Sequence, residues 1–214
     1  MIPESILRKY DARLSNLKKN EALFHEGDMA TYFHLVKSGK IKMATYSRDG
    51  KEFVQGYFTE GQSFGEPPLF NRLPYPASAI AVVASEVWRC PHTAFLKLLK
   101  ENFDIHLALT QVLSGRLVYK SIMLTELAIE EAEHRLTTLI EYFRKETNAK
   151  AEVYQVPFTR QQLADMTGLR VETVIRCIKA MEQGEKLRLT SDGKILWGNP
   201  RSYFNQNKKK GRAT

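Results

Sequence analysis

Cysteine is almost missing from this chain. Its 214 residues include two, Cys90 and Cys177. Two cannot build a disulfide framework or a four-cysteine metal site. Long apolar runs are missing as well. No stretch approaches the roughly 18 apolar residues of a membrane-spanning helix, and Met1 to Tyr10 lacks the apolar run of a signal peptide. There is no GxGxxG, no nucleophile motif and no paired-carboxylate signature, so an enzyme is not expected. Hydrophobic residues at 43% and charged residues at 26% are ordinary globular values, which excludes a disordered or fibrous chain. A cytoplasmic protein with free thiols and no membrane partner is the expectation.

Negative charge is scarce in one part only. Residues 1–147 hold 19 basic and 18 acidic side chains, whereas residues 148–214 hold 13 basic and 6 acidic. Nearly all of the net +8 therefore lies in the last third. Such asymmetry points to a polyanion partner for that segment.

Residues 21–90 read as strands. Gly27, Gly39, Gly50 and Gly61 recur at spacings of 12, 11 and 11, the interval of turns in an all-β sandwich or barrel. In Lys40 to Tyr46, Ile41 and Met43 share one face and Lys40 and Lys42 the other. Asp49-Gly50 supplies a tight hairpin turn. Ser78 to Trp88 reads as a further strand with Ile80, Val82 and Ala84 on one side. Gly65 to Pro76 holds four of the eight prolines and reads as a loop.

The period then changes. His92 to Lys100 reads as a short helix with Phe95, Leu98 and Leu99 inward. A long helix follows from about Asp104 to Ile129. Leu113, Leu117, Lys120, Leu124 and Leu127 step by 4, 3, 4 and 3, the spacing of a coiled-coil seam with one charged interruption. This is the expected dimer contact. The alternative is a helix packed on its own domain. Glu130, Glu131 and Glu133 mark a hinge near Ile129–Glu131. Another helix runs to about Lys145, with Leu136, Ile140 and Phe143 inward.

The basic third carries the sharpest pattern. Thr159-Arg-Gln-Gln162 is a capping box, opening a helix over Gln161 to Met166 with Leu163 inward. Gly168 supplies a turn. A second helix starts near Val171, with Val174, Ile178 and Met181 on one face and Glu172, Arg176 and Lys179 opposite. Two short helices about a glycine turn describe a helix-turn-helix. Leu187 to Thr190, Ser191-Asp192-Gly193 and Lys194 to Trp197 then form a hairpin, making the motif winged. The tail from about Asn205, with Lys208, Lys209, Lys210 and Arg212, is expected to be disordered. On the second helix Arg176 has the fork to bind guanine, and Glu172 can accept from cytosine. The alternative is a Glu172–Arg176 salt bridge on a solvated face. Arg160, Arg170, Lys179 and Lys194 are candidate phosphate contacts.

These residues resemble the cyclic-AMP receptor and fumarate–nitrate regulator (Crp/Fnr) family of bacterial transcription factors over about residues 10–200. Phe158 to Gly168 and Val171-Glu-Thr-Val-Ile-Arg176 carry the resemblance most specifically. Val171-Glu172-Thr173 looks like the fumarate–nitrate branch, which usually has Ser where this chain has Ile175. The resemblance implies an α+β architecture in three parts. Residues 1–103 would be a cyclic-nucleotide-binding-like β-roll (a double-stranded β-helix or jelly roll) that senses an effector. Residues 104–129 would be the dimerisation helix, and residues 130–214 a winged helix-turn-helix. It implies a homodimer on a palindromic double-stranded DNA operator, with RNA polymerase as a partner. Glu172 and Arg176 would read bases. Thr159, Arg160, Gln161, Arg170, Thr173, Lys179 and Lys194 would hold the backbone.

The resemblance also places an effector pocket at Phe64, Gly65, Glu66, Ala77, Ser78, Lys120 and Ser121. Cyclic-AMP binders carry an Arg-Ser pair about ten residues after the Gly-Glu. Here that stretch is Tyr75-Pro76-Ala77-Ser78, without arginine, and Arg72 sits too early in the loop. A cyclic phosphate would lose its strongest charge-assisted bonds, so cyclic AMP is not the expected effector. The family's ligand-contacting Thr-Ser pair aligns with Lys120-Ser121. With two cysteines, the four-cysteine iron–sulfur cluster of the oxygen-sensing branch is not expected. Two other readings stand beside this one. One is a cyclic-nucleotide-binding module acting on a protein partner. The other is a haem-based gas sensor using one of His25, His34, His92, His106 or His134.

Overall fold

In a computed structural model of the chain, which describes residues 2–50, 52–129, 131–146 and 153–198, the four regularly spaced glycines are turns. Gly27, Gly39, Gly50 and Gly61 all sit at φ between 78° and 90°. Gly39 is the most constrained: an added Cβ would lie 2.6 Å from the Ala84 carbonyl oxygen and 2.7 Å from Ser85 Cα. Only a residue without a side chain fits there.

The chain divides into two compact units, Met1–Gly115 and Arg116–Thr214. In the first, the strands are β1 (Arg13–Leu17), β2 (Ala22–Phe24), β3 (Tyr32–Ser38), β4 (Lys40–Tyr46), β5 (Glu52–Thr59), β6 (Ser63–Phe64), β7 (Ser78–Ala81) and β8 (Ser85–Pro91). They form two antiparallel four-stranded sheets, ordered β1-β8-β3-β6 and β2-β7-β4-β5. Ile41 and Met43 are buried and Lys40 and Lys42 only half-buried, the alternation expected of a strand with one face on the core. On β3 the alternation divides two environments. Phe33 stacks on Phe95, ring centroids 4.0 Å apart, in helix α3 (His92–Glu101). His34, next in sequence, lies among Phe24 and Phe64, at 5.2 and 5.3 Å.

Two expectations need correction here. Ser78 to Trp88 is not one strand with Ile80, Val82 and Ala84 on one side. It is two strands turned at residues 82–84, and the fully buried set is Ala77, Ala79 and Ala81. The reason is volume. Ala79 pairs with Phe24 on one side and Met43 on the other, and Ala81 pairs with Ile41. Small residues on β7 leave room for large ones on its neighbours. Gly65 to Pro76 is not all loop either, because it contains helix α2 (Glu66–Asn71). Pro67 and Pro68 fall in its first turn, where missing N–H groups cost nothing. A short helix before β1, α1 (Glu4–Lys9), has no counterpart in the sequence pattern.

The long helix is α4 (Phe103–Ile129). Leu109 joins the core of the roll, and Ile105 and Leu113 pack on its margin. The second unit holds the rest of α4 with α5 (Ala132–Glu146), β9 (Tyr154–Gln155), α6 (Arg160–Thr167), α7 (Val171–Gln183), β10 (Leu187–Leu189) and β11 (Ile195–Trp197). Its sheet is ordered β10-β11-β9, so the expected hairpin has a third strand. Leu136, Leu139, Ile140, Leu163, Val174, Ile178, Met181 and Leu187 are at most 1% exposed. Each such side chain contributes about 1.5–3 kcal/mol by burial. Tyr119 on α4 stacks on Tyr142 of α5, centroids 3.9 Å apart. The buried Glu126 accepts from Thr138 Oγ1 at 3.0 Å and lies 2.7 Å from His134 Nδ1. Among the described residues no helix is long and apolar enough to cross a membrane.

Candidate nucleic-acid interface

The helix-turn-helix is built by local signals. Gln162 N–H donates to Thr159 Oγ1, and Thr159 N–H donates to Gln162 Oε1, both at 3.1 Å. This reciprocal cap starts α6. Gly168, at φ 67°, ends it. The chain then re-enters a helix at Val171, and Val174, Ile178 and Met181 bury one face of α7. Among the described residues nothing covers the opposite face. Glu172, Ile175, Arg176 and Lys179 are exposed, with Thr173 half-buried beside them.

The alternative of a salt bridge is not realised. The side chains of Glu172 and Arg176 make no hydrogen bond or ion pair among the described residues, and neither do those of Arg170 and Lys179. The other expected contacts are engaged. Arg160 donates from Nη1 to the carbonyl of Gly193 in the turn between β10 and β11, and burial holds it below the ordinary arginine range. It ties the start of α6 to the wing, a role the sequence did not signal. Lys194 lies 2.9 Å from Asp192, whose carboxyl is held below its usual range by the Thr190 hydroxyl first and then by Lys194. Both partners are more than half exposed, so the pair is weak and open to exchange for a phosphate. Gln161 donates to Asp165 at 2.7 Å.

The expected effector residues divide between the units. Phe64, Glu66, Ala77 and Ser78 are buried in the first. Gly65 sits at φ 76° with the Tyr75 ring 3.1 Å from where a Cβ would stand. Ser78 Oγ accepts from Glu26 N–H at 2.9 Å. Arg72 is exposed at the end of α2. Lys120 and Ser121 belong to the second unit and are exposed, Ser121 donating to the Leu117 carbonyl at 3.0 Å. Along α4, Leu117 is 68% and Leu124 69% exposed, with Val118 and Ile122 beside them. The side chain of Leu127, Glu130 in the expected hinge and the basic tail lie outside the described residues. Among the described residues no three of His, Cys, Asp and Glu gather as a metal site. Cys90 is buried, donating to the Tyr10 carbonyl at 3.2 Å, and burial pushes its thiol up to about 11.

A two-sheet roll followed by a winged helix-turn-helix defines a DNA-binding transcription regulator with an effector-type domain. The comparisons agree along the chain. Residues 14–102 match the cyclic nucleotide-binding domain family, and residues 134–199 match the Crp-like helix-turn-helix domain. The chain is 30% identical to the cAMP-activated global transcriptional regulator CRP of Pasteurella multocida, over 81% of this chain and 84% of that protein. It is 25% identical to the fumarate and nitrate reduction regulatory protein of Yersinia pestis, over 82% and 71%. The structure of FixK2 from Bradyrhizobium japonicum superposes with a TM-score of 0.73 at 20% identity, covering 91% of this chain and 96% of that one. The chain belongs to the Crp/Fnr family of transcription regulators.

Proposed function

We propose that the chain binds, as a homodimer, a two-fold symmetric DNA operator read by α7. Residues 1–103 act as the sensor, 104–129 as the dimerisation helix and 130–214 as the DNA-binding part. The protein works in the cytoplasm and addresses RNA polymerase. The observation that carries this reading is the outer face of α7. A guanidinium and a carboxylate one turn apart stand exposed, their side chains without partners among the described residues, on a helix anchored by its other face. The N-terminal part of such a helix enters the major groove. Arg176 pairs with guanine O6 and N7, and Glu172 accepts from the cytosine of a neighbouring pair. Arg170 and Lys179 hold phosphates, and Lys194 joins them by giving up Asp192. Thr159, Arg160 and Gln161 shape the α6 end and the wing, and Thr173 flanks the readers.

Leu117 and Leu124, exposed on α4, support pairing of the helix with its mate about a two-fold axis, while Leu113 packs on its own roll and Leu127 is placed on the seam by sequence spacing alone. Lys120 falls on that seam and meets its own copy, so it tilts outward. Several relatives are named as cAMP-activated regulators. Tyr75 to Ser78 lacks the cation that a cyclic phosphate needs, so cyclic AMP is a poor ligand for the Phe64-Gly65-Glu66 cassette.

The test is binding to a duplex bearing the family's TGA half-sites. Arg176→Ala costs about 1–3 kcal/mol per half-site and removes the preference for the guanine. Lys194→Ala weakens binding to every sequence alike and lowers the salt slope by about one unit. Equal, sequence-independent losses in both variants would reduce α7 to a polyanion contact and overturn the reading.

A further inference from the structure

The interior of the roll holds two polar atoms with no use in the DNA-binding account. His34 is 2% exposed, and its Nδ1 has no hydrogen-bond partner. Arg89 on β8 is half-buried, and its Nε is buried and also unpartnered. The two residues are paired across β3 and β8, so their side chains share one face of the sheet. Among the described residues, no carboxylate lies within ion-pair distance of Arg89. Its guanidinium instead lies over the Tyr32 ring, 4.3 Å from the centroid, which fixes its plane. The rings of Phe24, Phe64 and Tyr75 stand 5.2, 5.3 and 6.2 Å from the imidazole.

Leaving a buried donor or acceptor unmade is costly, and two in one place need a cause. A cation without an ion-pair partner among the described residues and a neutral ring that can donate are the two groups on this face that an anion would bond. His34 is kept neutral first by burial and second by the charge of Arg89, which together hold it down to about 3. In that form one ring nitrogen donates, and the rings around it offer an apolar wall.

We propose that this corner of the roll, between β3 and β8, binds a small organic anion, a carboxylate or phosphate on an apolar body. Arg89 Nε–H and the His34 ring hold the anionic head. The cation then comes from the β8 strand rather than from the loop at Tyr75 to Ser78, where it is missing. The ligand sits on the roll's own wall and needs no residue of α4. The inference rests on reading the roll as the effector-binding part, and it is independent of whether α7 reads bases.

The test is a nuclear magnetic resonance titration of the full chain labelled in its histidine rings. The probes are inorganic phosphate in one arm and benzoate in the other, with sodium chloride at matched ionic strength as control. The expected result is a saturable shift of the His34 ring signals with at least one probe. In Arg89→Gln and Arg89→Lys the midpoint should move at least tenfold higher, since lysine keeps the charge but not the Nε edge. The inference is overturned if neither probe moves the His34 signals beyond the chloride control, or if the shift is unchanged in Arg89→Lys. The wild-type titration decides the matter even if the Arg89→Gln variant does not fold. Phosphate taken up by the basic DNA-binding unit moves other signals and leaves His34 in place. A failed anion site is therefore distinguishable from a failed DNA reader.

Discussion

At the scale of single residues, His34 links structure to stability most directly. Its imidazole is neutral when folded and ordinary when unfolded, with values of about 3 and 6.5. Above 6.5 both states are neutral and nothing is lost. As the pH falls below 6.5, the unfolded chain takes up a proton that the folded chain refuses, and stability drops. The stability advantage of wild type over His34→Gln should shrink by about 1.4 kcal/mol per pH unit between pH 6 and 4. Urea unfolding of both proteins, followed by the fluorescence of the buried Trp88, measures it. A constant difference would mean that His34 is solvated. A second residue-scale prediction concerns what is missing at Tyr75 to Ser78. Without a bidentate arginine, cyclic AMP should bind about 30- to 1000-fold more weakly than a cassette carrying one would allow, a loss on the order of 2–4 kcal/mol. Calorimetry finding micromolar binding would show that another group, Arg89 included, takes over the phosphate.

At the scale of elements, α4 decides the oligomer. Leu117 and Leu124 are exposed in the single chain, so replacing either by glutamate leaves the fold intact. At a two-fold seam the same change buries two charges at a cost of several kcal/mol. Leu117→Glu and Leu124→Glu should therefore sediment as folded monomers at micromolar concentration and lose operator affinity. Dimers in both variants would move the interface off this seam. Elements also show what a sequence can say. The Thr159 cap, Gly168 and the Val174–Ile178–Met181 stripe are local signals, and α6 and α7 follow from them residue by residue. Phe95, Leu98 and Leu99 gave α3 in the same way. The inward face of β7 was not legible. Both of its alternating sets are apolar, and the choice went to Ala77, Ala79 and Ala81 because Phe24, Met43 and Ile41 occupy the neighbouring strands. Such tertiary volume has no trace in a period-two pattern. Pro67 and Pro68 hid α2, since prolines signal a loop unless they fall in a first turn. The wing strand β9 is two residues long, too short for periodicity to register. The link from Arg160 to Gly193 spans 33 positions and joins two elements that only the fold brings together.

Across the whole molecule, the excess positive charge lies inside the second of the two units, beyond its first helices. The near-neutral part, residues 1–147, builds the roll and the long helix. The excess of positive charge falls in residues 148–214, with the winged helix-turn-helix. Charge supplies attraction to any polyanion, and the unpaired face of α7 supplies discrimination. Two-fold discrimination by α7 is tested by selection of binders from random duplexes. An inverted repeat is expected whose half-site centres lie one helical turn apart, about 34–36 Å. Arg176→Ala should enrich the same spacing with the guanine relaxed. Enrichment of no palindrome, or an enriched motif that Arg176→Ala leaves unchanged, would contradict that discrimination.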